Sequence, residues 1–125
     1  MPFSVLYIED DMQQIEIVRM FLAREQVGFI AARDGVSGLA AVREHHPSLV
    51  FIDINLPMMN GLEVAATLRE DPEFASLPLV ALTSTMKFTH QTVNIGELFD
   101  AYLSKPVMRA DIVKCVHSFM AQTSP

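Results

Sequence analysis

The sequence is poor in three features that assign many chains to a class: cysteine, basic residues and long apolar runs. Cys115 is the only cysteine among 125 residues, so a secreted scaffold stapled by internal disulfides is excluded. Lys and Arg number 9 against 15 Asp and Glu, and the formal net charge of -6 argues against direct binding to nucleic acid. No apolar run approaches the roughly 20 residues that a membrane span requires, so we expect no membrane insertion. Together these features predict a cytoplasmic domain.

The pattern of apolar residues indicates the fold class. Hydrophobic residues make up 50% of the chain, enough for one core, and residues 1–125 are expected to form a single domain. Short apolar runs alternate with stretches of helical period, which is typical of parallel strands joined by helical crossovers. The predicted strands are residues 4–8, 28–32, 49–52, 79–82 and 101–103. Four helices are predicted from apolar positions that share one face: Ile15, Val18 and Leu22; Leu39 and Val42; Val64, Ala65 and Leu68; and Ile112, Val116, Phe119 and Met120.

The connection between the fourth and fifth strands, residues 87–98, has the weakest helical pattern. It is rich in residues that form helices poorly: Thr89, Thr92, Val93, Asn94, Ile95 and Gly96. We expect a short or distorted helix there. Burial is expected for its apolar residues, with a partner-binding patch as the alternative for some of them: Phe88, Val93, Ile95, Leu98 and Phe99. The whole pattern predicts an α/β fold with a doubly wound parallel sheet of five strands.

Polar residues follow four of the five predicted strands, although the strands themselves are apolar at nearly every position. These residues are Glu9, Asp10 and Asp11; Asp53; Thr83 and Ser84; and Lys105. Ligands of open α/β sheets bind beyond the carboxyl ends of the strands. The residues at these ends are therefore the candidate functional residues.

Three consecutive acidic residues, Glu9, Asp10 and Asp11, follow the first strand. Neighbouring carboxylates ~4 Å apart repel by about 4 kcal/mol at an effective dielectric constant of ~20, and a bound cation relieves that repulsion. Hard carboxylate oxygens without a nearby cysteine or paired histidine favour Mg²⁺. The alternative is that Asp10 or Asp11 only caps the helix that begins near Met12.

Asp53 ends the third apolar run and is a candidate nucleophile. A carboxylate beside a bound cation can accept a phosphoryl group as an acyl phosphate. The reaction needs charge neutralisation on the transferred oxygens, which Lys105 and Mg²⁺ are able to supply, and Thr83 is able to donate a further hydrogen bond. Taken singly, each residue has a plain structural alternative: a loop carboxylate, a strand end and a solvated charge. Their joint occurrence at the ends of different strands favours the chemistry.

These motifs resemble the receiver domains of two-component response regulators, over essentially the whole chain. Residues 5–11, VLYIEDD, are similar to the family's first strand and acidic pair, with Glu as the first acid. Residues 53–61, DINLPMMNG, resemble the phosphoacceptor motif, with Pro four and Gly eight residues after Asp53. Residues 82–84, LTS, resemble the family's hydroxyl position. Residues 102–106, YLSKP, resemble the switch aromatic, the invariant Lys and its usually cis Pro.

The resemblance implies a fold and a phosphorylation site. It implies a flavodoxin-like sheet with strand order 2-1-3-4-5 and five helices. Asp53 would accept a phosphoryl group from a histidine kinase or histidine phosphotransfer protein, and the domain would catalyse its own phosphorylation and dephosphorylation while acting mainly as a switch. Asp10 would bind Mg²⁺ directly and Glu9 through water. Asp53 and the carbonyl of Asn55 would be further ligands, and Asp11 would fall outside the metal group.

The resemblance also implies how the signal leaves the site. Thr83 and Tyr102 would form a coupled switch, and Lys105 would pair with the phosphoryl oxygens. A downstream protein would bind the face formed by helix 4, strand 5 and helix 5. The fourth crossover departs from the family pattern, because Leu98 stands where a Gly usually precedes the fifth strand, and Gly96 comes two residues earlier.

Other functions remain as alternatives at this point. A Mg²⁺-dependent aspartyl-phosphate phosphohydrolase uses related chemistry, but it usually carries its nucleophile in an Asp-x-Asp at the first strand. A flavin-binding domain of similar topology needs a phosphate-cradling loop after strand 1, where Glu9, Asp10 and Asp11 would repel the phosphate. Within the receiver family, a free-standing single-domain regulator is favoured over a receiver excised from a hybrid histidine kinase or a multidomain regulator.

Overall fold

A computed structural model describes residues 2–84 and 95–123 of the chain. Strands and helices alternate in the order β1 (Ser4–Ile8), α1 (Met12–Leu22), β2 (Gly28–Ala32), α2 (Gly35–His45), β3 (Leu49–Asp53), α3 (Gly61–Glu70), β4 (Leu79–Thr83), α4 (Ile95–Leu98), β5 (Ala101–Ser104) and α5 (Arg109–Thr123). The strands form one sheet in the order β2-β1-β3-β4-β5, and every neighbouring pair is parallel. The predicted flavodoxin-like fold is confirmed.

The central strands are apolar at nearly every residue because helices cover both faces of the sheet. Along β1, Leu6 and Ile8 pack on one face with buried residues of α2 and α3. The intervening residues Val5 and Tyr7 pack on the other face with buried residues of α1 and α5. Two cores therefore hold the sheet, and they fix the carboxyl ends of the strands at one edge. Among residues 2–84 and 95–123, no helix is long and apolar enough to cross a membrane.

Three strands run one residue further than their apolar runs predict. β3 ends at Asp53, β4 at Thr83 and β5 at Ser104. The reason is that strand pairing continues to these positions: Asp53 lies opposite Leu82. Thr83 likewise lies opposite Ser104. The sheet itself, and not a loop, therefore positions two of the candidate site residues.

Polar side chains set the start of α1 and α3. Asp11 Oδ1 accepts a hydrogen bond from the backbone N–H of Gln13 at 2.8 Å, so the capping role considered for Asp11 is confirmed. At α3, Asn60 accepts from the N–H of Glu63, and the Glu63 side chain accepts in return from the N–H of Asn60. Both helices begin close to strand ends, so these caps also define the loops around the candidate site.

The fourth crossover is described from Ile95 onwards, where α4 covers four residues. The expectation of a short or distorted helix concerns mainly residues 87–94, which lie outside the described residues, as does the expected burial of Phe88. Within the described part, Phe99 is buried as predicted, whereas Leu98 is half-buried and packs against the core beside α2 and α3.

Arg69, in the last turn of α3, holds the end of α4 in place. Its Nε donates to the carbonyl of Leu98 at 2.9 Å, and Nη2 donates to Asp100 Oδ2 at 3.0 Å. Its Nη1 donates to the carbonyls of Ala75 and Leu77 at 3.1 and 2.7 Å. Leu98, at the position where the resemblance implies a Gly, therefore has its backbone carbonyl bound by a side chain of the neighbouring helix α3.

Candidate functional site

The sheet brings the polar strand ends together at one edge. Lys105 directly follows β5, and β4 lies between β5 and β3 in the sheet. The long side chain of Lys105 nevertheless reaches two carboxylates that follow β1 and end β3. Its Nζ lies 2.8 Å from Glu9 Oε1 and 3.1 Å from Asp53 Oδ2. Glu9, Asp53 and Thr83 are the buried polar residues of the described chain. Three predicted site residues, Glu9, Asp53 and Lys105, thus form one hydrogen-bonded group.

Three carboxylates form a group able to hold a metal ion. Glu9, Asp10 and Asp53 each offer an oxygen, and these oxygens lie within 4.8 Å of one another. Glu9 and Asp53 are buried, whereas Asp10 is exposed and opens the group to solvent. Of the residues that the structure describes, Lys105 is the one whose cationic side chain pairs with these carboxylates, so three acidic groups face one paired positive charge. Hard oxygen donors with this charge fit a divalent cation such as Mg²⁺.

The pKa values of the site follow from burial and from these contacts. Burial, and next the charge of Glu9, raise the pKa of Asp53, although Asn55 N–H and Lys105 oppose the rise. Although Asp10 is exposed, the partial loss of water around its carboxylate raises its pKa as well, and Glu9 adds to the rise. Burial would raise the pKa of Glu9 too, but hydrogen bonds from Lys105 and Tyr7 outweigh this effect, so the pKa of Glu9 is lowered. Glu9 and Lys105 therefore form the ionised pair of the site.

The Asp53 carboxylate is oriented through both of its oxygens. Oδ1 accepts a hydrogen bond from the backbone N–H of Asn55 at 3.0 Å, and Oδ2 contacts the Lys105 ammonium. Burial alone would lower the pKa of Lys105, but hydrogen bonds to Glu9 and Asp53 more than offset it, so the pKa is raised. A charged ammonium thus faces one oxygen of the candidate nucleophile.

The loop between β3 and α3 folds tightly against the site. A Cβ atom on Gly61 would lie 2.4 Å from the backbone oxygen of Asp53, so a glycine is needed for this close approach. Met58, at the tip of the loop, has φ 66° and is fully exposed. Beside the loop is a cavity of about 460 Å³, lined by Asp10, Ile54, Asn55, Leu56, Pro57, Asn60 and Leu62. This cavity leads to the exposed carboxylate of the group.

Thr83 and Tyr102 lie on the neighbouring strands β4 and β5. Thr83 is buried at the end of β4, whereas Tyr102 is 56% exposed on β5 and pairs with Ala81 of β4. The peptide bond between Lys105 and Pro106 is cis, as the resemblance implies. The two predicted switch residues therefore lie on adjacent strands, one buried and one exposed.

Sequence reasoning missed Tyr7, which it treated as an apolar strand residue. Its side chain is fully buried, and its hydroxyl donates to Glu9 Oε1 at 2.9 Å. Residues two apart on a strand share a face, so a tyrosine two positions before an acidic strand end was the available signal.

Comparison with known proteins identifies the family. The family model of the response regulator receiver domain matches residues 5–117. This chain belongs to that family. It is a receiver domain of two-component response regulators, and the phosphohydrolase and flavin-binding alternatives are set aside. The polar-differentiation response regulator DivK of Brucella anthropi is 32% identical to this receiver over 121 residues, covering 96% of this chain and 98% of the relative.

Solved structures show the same fold. A putative response regulator from Chloroflexus aurantiacus superposes with a TM-score of 0.87 at 22% identity, over 97% of this receiver and 99% of that chain. Chemotaxis response regulator CheY4 of Vibrio cholerae gives 0.86 at 20% identity, over 95% and 99%. The Mn(2+)-bound form of response regulator Rcp1 gives 0.78 at 26% identity, over 99% and 98%.

Family membership carries two general properties. Receiver domains generally bind Mg²⁺, and the acidic group of this receiver is consistent with such binding. Receiver domains also interact with histidine kinases or phosphotransfer proteins and with downstream partners.

Proposed function

We propose that this receiver accepts a phosphoryl group on Asp53, from a phosphohistidine of a histidine kinase or phosphotransfer protein, in a Mg²⁺-dependent reaction. The observation that carries the proposal is the Lys105 ammonium, 3.1 Å from Asp53 Oδ2 and 2.8 Å from Glu9 Oε1. It sets a fixed positive charge beside the carboxylate that would carry the phosphoryl group. The pocket thus compensates in advance for charge that arrives with the phosphoryl oxygens.

The proposed metal ligands are Asp10 directly, Glu9 through water, Asp53 and the backbone carbonyl of Asn55. The proximity of the three carboxylates supports this set. When bound, Mg²⁺ would neutralise charge on the phosphoryl oxygens. Asp11 is proposed to lie outside the set, because its carboxylate caps α1.

Asp53 would act as the nucleophile. One of its carboxylate oxygens forms a bond to phosphorus while the P–N bond to the donor imidazole breaks, and the electron pair of that bond stays on the ring nitrogen. Asn55 N–H holds the carboxylate in orientation through Oδ1. Lys105 would pair with a phosphoryl oxygen, and the Thr83 hydroxyl would donate to another. Hydrolysis by water then returns the free carboxylate and releases inorganic phosphate.

The proposed output is a changed surface. Thr83 would move toward the phosphoryl group, and the half-exposed ring of Tyr102 would turn inward. A downstream protein would bind the face formed by α4, β5 and α5. The net charge of -6 supports a protein partner in preference to direct binding of nucleic acid. The cytoplasm is the proposed place of action, in keeping with the single free cysteine.

Incubation with acetyl phosphate and Mg²⁺ tests the proposal by intact mass. We expect the gain of one phosphoryl group in the unmodified chain and none in Asp53→Asn or after chelation with EDTA. Glu70→Gln is the matched control, because it also turns a carboxylate into an amide, at an exposed position on α3.

Two outcomes would contradict the proposal. Phosphorylation of Asp53→Asn at the rate of the unmodified chain would move the acceptor elsewhere. An unchanged yield in EDTA would remove the metal from the reaction.

A further inference from the structure

The feature that the proposed function does not use is the phenol of Tyr7. This side chain is fully buried between the sheet and α1/α5, where its ring meets Phe51 edge to face with centroids 6.4 Å apart. Its hydroxyl donates to Glu9 Oε1 at 2.9 Å. A buried hydroxyl is costly unless it is hydrogen-bonded, so Tyr7 and Glu9 depend on each other.

The hydrogen bonds of Glu9 determine which of its atoms remain available. Oε1 accepts from Tyr7 at 2.9 Å and from Lys105 at 2.8 Å, which uses both of its lone pairs. From the described residues, Oε2 accepts one bond, that of the backbone N–H of Asp11 at 3.2 Å. Within residues 2–84 and 95–123, the acceptor site left on the carboxylate therefore belongs to Oε2.

We propose that Tyr7 is a positioning residue for the metal group. Its hydroxyl holds the Glu9 carboxylate so that only Oε2 is offered to a bound cation or to the water of that cation. The inference rests on the proposed Mg²⁺ site. Tyr7 does not touch the metal position itself; it acts through Glu9, in the way that partners of metal ligands fix ligand orientation.

The length of Glu9 is part of this arrangement. An aspartate at position 9 is one methylene shorter, so its carboxylate would withdraw from the Tyr7 hydroxyl. That hydroxyl would then be buried without its partner. The tyrosine therefore selects glutamate as the acid at this position, and removing the hydroxyl should make aspartate acceptable.

Four forms of the full chain test the proposal: unmodified, Tyr7→Phe, Glu9→Asp and the double variant. Mg²⁺ is the probe, titrated calorimetrically, and urea unfolding in EDTA is the second readout. We expect Tyr7→Phe to weaken Mg²⁺ binding about tenfold. Glu9→Asp should lower the urea midpoint, and adding Tyr7→Phe to it should recover most of that loss. Thr67→Val is the control: it likewise removes a hydrogen-bonded hydroxyl, which donates to the Glu63 carbonyl within α3, and should leave Mg²⁺ binding unchanged.

The outcomes separate this proposal from the one on which it rests. If the unmodified chain binds no Mg²⁺, the metal site itself is wrong and the positioning role falls with it. If the unmodified chain and Tyr7→Phe bind Mg²⁺ equally, only the role of Tyr7 is overturned. Additive effects of the two substitutions on the urea midpoint would likewise overturn the link between Tyr7 and Glu9.

A measurement on the unmodified chain covers the case in which a variant does not fold. The Tyr7 hydroxyl proton, protected by burial, should give a slowly exchanging resonance that persists when Mg²⁺ is added. Its disappearance on Mg²⁺ binding would show that Glu9 leaves Tyr7 to reach the metal, which would overturn the proposal.

Discussion

At the scale of single residues, the site is a place where charge is kept at the expense of stability. Glu9 and Asp53 are both buried, and one ammonium, that of Lys105, is shared between them. Burial and the charge of Glu9 raise the pKa of Asp53, which means that the ionised carboxylate is less stable in the fold than in the unfolded chain. Such a residue is suited to reaction and poorly suited to holding the fold together.

We therefore expect Asp53→Asn to raise the free energy of unfolding in EDTA at pH 7, by about 1 kcal/mol. Lys105 keeps its partner Glu9 in this variant. Because the pKa of Asp53 is raised in the fold, its ionised carboxylate destabilises the fold at pH values above the folded pKa. This destabilisation vanishes as the pH falls below the ordinary pKa of an aspartate. The difference between the variant and the unmodified chain should thus shrink on acidification. Urea unfolding at several pH values measures this, and a less stable variant at pH 7 would contradict it.

Cys115 provides a second prediction at the residue scale. Burial raises the pKa of its thiol to about 11, from an ordinary value of 9.0. The thiolate is the reactive form, so alkylation by iodoacetamide at pH 8 should be about 100-fold slower in the folded chain than in urea. The rate in the folded chain should keep rising with pH up to about 11. Equal rates in folded and unfolded chains at pH 8 would contradict the burial of the thiol.

At the scale of elements, the start of α3 packs against the end of β3 with no room for a side chain between them. Gly61 is the first residue of α3, and the backbone oxygen of Asp53 would lie 2.4 Å from a Cβ at that position. Gly61 N–H also donates to the carbonyl of Ile54 at 3.0 Å. The helix is thus hydrogen-bonded to the backbone that follows the candidate nucleophile.

Gly61→Ala should destabilise the chain by about 2 to 3 kcal/mol, because the new methyl group meets backbone atoms that cannot move aside. Gly38→Ala is the matched comparison: its Cβ would also lie 2.4 Å from a neighbour, but that neighbour is the end of the Ile8 side chain. We expect the smaller loss for Gly38→Ala, since a side-chain end can shift. Urea unfolding of both variants measures the difference, and an equal or smaller loss for Gly61→Ala would be against this account.

At the scale of the whole molecule, the site and the proposed output face are joined through β4 and β5. Thr83 ends β4 at the site, and Tyr102 on β5 faces outward. Arg69 fixes the far end of α4 by binding the carbonyl of Leu98 and the side chain of Asp100. Because α3 holds the chain at the carboxyl end of α4, we expect the crossover to rearrange in its earlier part, which follows Thr83 in the sequence.

We expect amide exchange over residues 86–99 to change on phosphorylation more than exchange in α1 or α2, although residues 86–94 lie outside the described part of the chain. The residues of this crossover form helices poorly, so it is the least costly segment to rearrange. Tyr102→Ala should weaken the response while Asp53 remains phosphorylated. The measurement is amide hydrogen exchange of the chain with and without acetyl phosphate and Mg²⁺. A silent crossover together with a responding α1 would place the output on the opposite side of the domain.

The fold could be predicted from the sequence because its signals are local. The apolar runs at residues 4–8 and 49–52 indicate burial on both faces, and their alternation with helical stretches is typical of parallel strands with helices on each side. The motif around Asp53 and the cluster after β1 likewise identified the family before any contact was known. The exact strand ends were missed by one residue, because pairing with a neighbouring strand decides whether Thr83 or Ser104 continues the sheet.

The tertiary structure decided which side chains act together. Lys105 meets Glu9 across 96 positions in the chain, and that distance of 2.8 Å depends on the strand order and on both cores. In the sequence Tyr7 is indistinguishable from the apolar residues of its strand, and only the folded structure shows that its hydroxyl donates to Glu9 Oε1 at 2.9 Å. The sequence by itself determined the strands, the helices on both faces and the polar character of their ends, because side-chain periodicity is a local property. The charge that Lys105 shares with Glu9 and Asp53, and the pKa shifts of these groups, arise from long-range packing, because burial and proximity across the sheet do not exist in the unfolded chain.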